Sequence, residues 1–378
     1  MKPPEITERQ AFMILNDLPN IGPISLNRLL EAFGGDPLQI FSATKRQLEA
    51  VRGIGPETSA ALLNWREHFD LTREEERLAK AGAAFITARD EGYPPLLKEI
   101  HDPPIGLYRK GGYLFDRPGI AVIGSRRTTL YGQSVAKKLG GDLARLGFCV
   151  VSGLARGIDT AAHEGALSVD GGRTAAVLGT GIDIVYPPEN LALYRRIEES
   201  GAVLSEFPFG RKADRQSFAM RNRIVSGMCE AVVVVESDVD GGAMITARFA
   251  GEQGRLIFAV PGRIDQPSSA GCHQLIRDGA TLFTNLDDLL GELNYLGGLR
   301  PQAIAAPAGQ PSVLEQVAPP LSDAERKVIE AFRGGGLLGI DQLSATTGLG
   351  ASEISAALLM LELKKLVVKR ADGTFEAR

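Results

Sequence analysis

Several short stretches of this sequence carry the residue types that hold phosphate. Gly124-Ser125-Arg126-Arg127-Thr128-Thr129 stands between an apolar run and a helical pattern. There a glycine admits close backbone approach, hydroxyls donate, a helix N-terminus favours anions, and arginine forks match phosphate oxygens. Ser152-Gly153-Leu154-Ala155-Arg156-Gly157-Ile158-Asp159 repeats these ingredients after the next apolar run, and two such turns side by side make one groove. Asp240-Gly241-Gly242-Ala243-Met244-Ile245-Thr246 opens a further helix and adds Gly242 and Thr246 as phosphate contacts. Gly179-Thr180-Gly181-Ile182-Asp183 leads into Tyr186-Pro187-Pro188-Glu189-Asn190, whose prolines and helix-starting Glu189 also suit a purely structural role.

Between Arg211 and Arg223 cations interleave with an aromatic: Arg211, Lys212, Arg215, Phe218, Arg221, Asn222 and Arg223. A groove for single-stranded nucleic acid needs this pairing, because cations track the backbone while a ring stacks a base for about 1–3 kcal/mol. Phe218 is the stacking candidate; Ile224 and Val225 behind it mark the alternative of a core helix. Arg221 and Arg223 contact phosphate or, alternatively, pair with carboxylates on the sheet.

Nothing resembles a catalytic engine. His68, His101, His163 and His273 are scattered without a nucleophile motif, and Asp159 with His163, spaced i, i+4, reads as a helix-stabilising or capping pair. No catalytic residue is expected. A nicotinamide dinucleotide site would want G-x-G-x-x-G and an acid after the second strand, whereas the sequence has only Gly124 and Gly132 and ends that strand in Ser152-Gly153. Cys149, Cys229 and Cys272 are odd in number and widely spaced, which predicts reduced thiols and neither a metal nor another cofactor.

The chain has 378 residues and a formal net charge of −4, so bulk charge does not coat nucleic acid and any such site must be local. Basic residues outnumber acidic ones between Arg109 and Arg223, and the balance reverses from Glu230 to Glu292. Apolar runs fall short of the ~20 residues of a membrane span. Residues 1–10 lack the apolar core of an export signal, so a soluble, cytoplasmic protein is expected.

The elements that must position these residues are legible from periodicity. Residues 1–70 read as a small helical domain, in which Val51-Arg52-Gly53-Ile54-Gly55-Pro56 before Ala60-Ala61-Leu62-Leu63 suits a helix-hairpin-helix or an ordinary turn between helices, with a weaker echo at Gly22-Pro23. Residues 71–300 alternate strands at 84–87, 119–124, 148–152, 173–178, 202–205, 231–235, 256–260 and 281–283 with helices at 131–146, 160–168, 189–200, 218–228 and 245–253. That alternation predicts an α/β fold: a doubly wound, Rossmann-like parallel sheet with ligands at the carboxyl ends of its strands. Residues 301–319 are a Pro/Ala-rich linker. Residues 320–378 read as a winged helix: a capping box at Ser322 and Glu325, two more helices, and a hairpin turning at Asp372-Gly373. Its third helix, Ala351 to Leu363, carries Glu353 and Glu362 without a cation, which suits a protein contact better than a DNA groove.

With these residues in hand, the chain resembles the DprA/Smf family of DNA-processing proteins. The resemblance rests on Tyr93-Pro94-Pro95-Leu96-Leu97, Gly124-Ser125-Arg126, Ser152-Gly153-Leu154-Ala155 with Gly157-Ile158-Asp159, Tyr186-Pro187 with Glu189-Asn190, Arg221-Asn222-Arg223, Ile245-Thr246-Ala247, Glu252-Gln253-Gly254-Arg255 and Phe258-Ala259-Val260-Pro261-Gly262. The flanking regions are similar to the family's optional SAM-like and winged-helix modules. The resemblance implies a homodimeric recombination mediator that protects incoming single-stranded DNA in natural transformation and helps load the RecA recombinase, without known catalysis. It implies phosphate contacts at Gly124, Ser125, Arg126, Arg156, Arg221 and Arg223, with Arg215 and Phe218 placed more loosely. One departure is Cys272-His273 after Gly271, where asparagine is expected at His273. The strongest rival is a nucleoside-monophosphate phosphoribohydrolase on a related fold, whose P-G-G-x-G-T-x-x-E loop matches Gly241-Gly242 and Thr246 here but meets Phe249 in place of the catalytic acid.

Overall fold

Near-continuous apolar strands are satisfied only where both faces are covered, and Gly119–Ile123 and Ala231–Val234, buried at every position, lie inside such a sheet. The computed structural model describes residues 6–295, 321–332, 338–364, 366–369 and 374–377. They divide into two compact units, Met1–Ile304 and Ala305–Arg378.

The first unit opens with α1 (Glu8–Asp17), α2 (Pro23–Ala32), α3 (Pro37–Ser42), α4 (Lys45–Glu49), α5 (Pro56–Leu63), α6 (Trp65–His68) and α7 (Leu71–Ala81). There follow β1 (Ala84–Ile86), β2 (Leu107–Lys110), β3 (Gly119–Ile123), α8 (Leu130–Arg145), β4 (Cys149–Ser152), α9 (Ile158–Ala166), β5 (Arg173–Leu178), α10 (Leu191–Ser200) and β6 (Ala202–Ser205). The unit continues through α11 (Arg215–Gly227), β7 (Ala231–Val234), α12 (Gly242–Glu252), β8 (Leu256–Ala259), α13 (Pro267–Arg277), β9 (Thr281–Leu282) and α14 (Leu286–Tyr295).

The nine strands form one sheet in the order β1-β2-β6-β5-β4-β3-β7-β8-β9. From β6 to β9 all pairs are parallel; Ala121 of β3 sits between Val151 of β4 and Val232 of β7. Chain order runs outward in opposite directions from β3 and β7, so the switch point where such folds bind ligands falls between those strands. The expectation of a wholly parallel sheet is corrected at one edge, where β2 pairs antiparallel with both β1 and β6. The four residues of β2, Leu-Tyr-Arg-Lys after Pro103-Pro104, end in charges and lack the apolar run that marks the other strands. Helices α7, α13 and α14 also escape the periodicity reading, and α9, α11 and α12 each begin two or three residues before the expected start.

The helical N-terminus does not stand apart. In the α4–α5 hairpin Gly53 has φ +88°, a left-handed conformation costly for other residues, and Gly55 caps α5. Leu15, Leu62 and Trp65 belong to one buried cluster with Phe85, Tyr108, Tyr194 and Phe209 of the sheet region. Tyr108 sets its ring edge-on to Phe209 at 5.4 Å and donates its hydroxyl to buried Glu74 of α7 at 2.8 Å. The antiparallel edge thus presents an apolar face that the N-terminal helices cover, and one buried cluster runs across the expected 70/71 boundary.

The second unit holds α15 (Asp323–Ala331), α16 (Ile340–Thr347), α17 (Ala351–Leu363), and β10 (Val367–Lys369) paired antiparallel with β11 (Phe375–Ala377). Ser322 and Glu325 form the capping box, and the Glu325 carboxylate also takes Lys364 Nζ at 2.8 Å. Leu338 adds a bridge to Phe375. This is the expected winged helix. Glu353, Leu359 and Met360 are exposed on α17. The linker at 301–319 and the turn at Asp372-Gly373 lie outside the described residues.

Starting the chain at residue 71 should therefore uncover the Phe85, Tyr108 and Tyr194 face and lower the melting temperature by about 10 °C, the effect of roughly 3 kcal/mol on a unit of this size. Calorimetry of the intact first unit should show one transition; two separable transitions would restore an independent N-terminal domain.

Candidate nucleic-acid interface

A cleft of ≈ 690 Å³ opens at the carboxyl ends of β3, β4 and β7, lined by the turns after those strands, by Tyr186 and by α11. Its size lies within the usual range of binding pockets. A buried clasp makes its floor. Arg221 donates through Nη1 to the carbonyl of Gly153 at 2.7 Å and to that of Val177, joining α11 to β4 and β5. Asp159 accepts from the backbone N–H groups of Gly153 (3.1 Å) and Ala155 (3.3 Å), which closes the second glycine turn from the other side. Burial pushes the Asp159 carboxyl up and pushes the guanidinium of Arg221 down to about 10, while the opposite charge of each resists its partner's shift.

The first turn is held as tightly. Ser125 N–H donates to the carbonyl of Glu236 at 2.7 Å, and a Cβ on Gly124 would stand 2.7 Å from that same oxygen and 2.6 Å from Ile158. Gly124 is thus required by protein packing, not only by access for a ligand. The buried carboxylate of Glu236 accepts from Thr128 Oγ1 at 2.6 Å, from Thr129 N–H at 2.9 Å and from Thr129 Oγ1. It supplies the negative charge at the start of α8 where a phosphate was expected.

Above this floor the free cations gather. Arg126, Arg127 and Arg215 line the cleft, are exposed, and have no carboxylate partner among the described residues. Gly124, Ser125, Gly153, Phe218, Asn222, Gly242 and Thr246 line it as well. Phe218 is half-buried: Arg126 lies over its ring at 4.7 Å, and Tyr186 packs beside it at 5.4 Å. Asn222 donates to the carbonyl of Gly242 at 3.3 Å, tying α11 to α12.

Two predicted phosphate ligands are engaged elsewhere. Arg223 is 4 % exposed; its Nε meets Asp102 at 3.0 Å and its Nη2 donates to Glu206. Residues two apart on a helix point about 200° apart, so an Arg221 turned to the cleft floor sends Arg223 to the opposite side. Arg156 pairs with Glu189 and is absent from the lining. Nor do Asp159 and His163 pair: the ring of His163 bonds Thr174 Oγ1 at 2.7 Å, and burial lowers its pKa to about 3. Sequence reasoning missed Asp159 and Glu236 as the internal anions, Tyr186 as a wall, and Asp238 and Asp240 on the rim. The stripe Arg215, Phe218, Arg221 and Asn222, at spacings of three and four, was the available signal that excludes Arg223.

This sheet, with its cleft at the switch point, and the separate winged helix define a Rossmann-like α/β protein with a winged-helix unit. The family model described as DNA recombination-mediator protein A matches residues 84–294, and that of the DprA winged helix domain matches residues 312–373. The chain belongs to the DprA/Smf family. It is 33% identical to Protein Smf of Synechocystis over 98% of this chain and 99% of that one, and 44% identical to DNA processing protein DprA of Streptococcus pneumoniae over 54% of this chain and 73% of that one. The X-ray structure of Streptococcus pneumoniae DprA superposes with TM-score 0.66 at 34% identity, covering 76% of this chain and 98% of that chain. A Helicobacter pylori DprA structure, described for its unique single-stranded DNA binding mode, matches with TM-score 0.50 at 30% identity, covering 56% of this chain and 96% of that chain.

Arg223→Ala should leave Glu206 buried without its counter-charge and destabilise the first unit by about 3–5 kcal/mol. A urea titration reads this. Unchanged stability together with weakened DNA binding would return Arg223 to the interface.

Proposed function

We propose that the cleft holds single-stranded DNA, and that the protein protects incoming DNA in natural transformation and helps load the RecA recombinase as a homodimer, without catalysis. The observation that carries the DNA reading is the set Arg126, Arg127 and Arg215: exposed, without carboxylate partners among the described residues, and in one cleft with Phe218. On a chain of net charge −4 such a cluster is where a polyanion is drawn. The single-stranded DNA in the description of the Helicobacter pylori relative supports the same ligand. The transformation, RecA and homodimer parts rest on the family. A hydrolase reading would need an acid where Phe249 stands.

Arg126→Ala and Arg215→Ala should each weaken binding of all single-stranded sequences and flatten the salt dependence by about 0.7 per lost phosphate contact. Oligonucleotide anisotropy across a salt series measures both. Unchanged affinity and slope in folded variants would remove the cleft from DNA binding.

The second unit enters differently, as a contact module for protein. Its α17 presents Glu353, Leu359 and Met360 to solvent and contains no lysine or arginine to meet a phosphate field. Deleting residues 301–378 should keep single-stranded DNA affinity within about twofold, ~0.4 kcal/mol. A tenfold fall would give this unit a share of the DNA.

A further inference from the structure

An apolar ledge adjoins the cleft. Ile264, in the turn after β8, is 96 % exposed, and on the first turn of α8 Leu130 is 71 % and Tyr131 54 % exposed. Val239, between the cleft-lining Asp238 and Asp240, is exposed too. Hydrogen bonds bring these strand ends together. Tyr131 Oη donates to the carbonyl of Pro261 at 3.4 Å, joining α8 to the turn that carries Ile264. Glu236 ties the start of α8 to the end of β7, and Gly271 N–H donates to the carbonyl of Ser237 at 2.8 Å, joining α13 to the same end. The ledge is also continuous with the cleft along the chain, since Leu130 follows the lining residue Arg127 by three positions.

The charges here differ from those around Phe218. Asp238 and Asp240 are exposed and without an ion-pair partner among the described residues, while Arg263 and Asp265, flanking Ile264, bond each other at 2.7 Å. Phosphate is repelled by the free carboxylates, whereas an aromatic ring with aliphatic neighbours attracts the faces of bases. The geometry points to a second subsite for the same ligand: a strand whose phosphates lie on Arg126, Arg127 and Arg215 continues across the ends of β7 and β8 with its unpaired bases laid on Tyr131, Leu130 and Ile264. This inference rests on the reading of the cleft as a single-stranded DNA site.

The test compares oligothymidylates of about four and about twenty nucleotides, the short one matching the smallest footprint of single-strand binding modules. In the full-length protein, Tyr131→Ser with Ile264→Ser should weaken the long oligomer about fivefold or more, with an unaltered salt slope and the short oligomer within about twofold. Tyr131→Phe, which keeps the ring, should bind both as the unsubstituted protein does. Tyr131→Trp supplies a second readout: its fluorescence should be quenched by the long oligomer and not by the short one, against the constant background of Trp65. Arg126→Ala weakens both lengths if the cleft reading holds. Loss at Arg126 with full long-oligomer affinity in the double serine variant and no quenching overturns the ledge alone; failure of the unsubstituted protein to bind either oligomer, or an Arg126→Ala variant unaffected at both lengths, overturns the cleft reading. A double variant that sediments as a smaller species assigns the face to a second copy of the chain and also overturns the ledge.

Discussion

The carboxyl edge of the sheet depends on two buried opposite charges that grip the same turn from either side. Arg221 reaches from α11 to carbonyls at the ends of β4 and β5, and Asp159 reaches back from α9 to the N–H groups of the same β4 turn. Two charges removed from water are tolerable when each is hydrogen-bonded and the opposite charge of the other offsets part of the cost of burial. That requirement fixes the relative positions of α9, α11 and the turn between β4 and α9. Gly153 is part of the price, because a Cβ there would stand 2.4 Å from the Arg221 guanidinium.

With the floor closed internally, binding falls to what the floor leaves over. The protein places its own carboxylates, Asp159 and Glu236, on turns whose N–H groups would otherwise attract an external anion. Those turns then act as scaffolding, and the positive charge of the cleft comes from the exposed guanidinium groups that line it. Exposed arginines and a partly covered ring carry little sequence information, because they offer charge and a flat face rather than base-edge hydrogen bonds. Arg126 over Phe218 keeps one of those cations near the ring.

The N-terminal helices serve the same edge indirectly. They cover the antiparallel strands β1 and β2, and Asn16 of α1 donates to the carbonyl of Glu206 at 2.9 Å, beside the acid that anchors Arg223. Opposite faces of α11 are thus locked, one by the clasp and one by the Asp102–Arg223–Glu206 group. Rigid support of this kind is what allows exposed side chains at its N-terminal turn to be placed reproducibly.

Read alone, the sequence determined the fold class, eight of the nine strands, the winged helix and the three strand-end turns, because apolar periodicity and glycine punctuation are local signals that survive without neighbours. It also brought most of the cleft-lining residues into one list, since folds of this class put those turns on one edge. Tertiary structure decided which arginines are free. Arg221, Arg223 and Arg126 are alike in type and in their nearness to glycine turns or sheet, yet one is a strut, one is an anchor and one is exposed. The difference comes from groups distant in sequence, the carbonyls of Gly153 and Val177 for Arg221 and the carboxylates of Asp102 and Glu206 for Arg223, whose proximity depends on chain crossovers that no short window records. Strand β2 was decided in the same way: its four residues become a strand because β1 and β6 offer hydrogen-bonding edges on either side, not because of their own pattern.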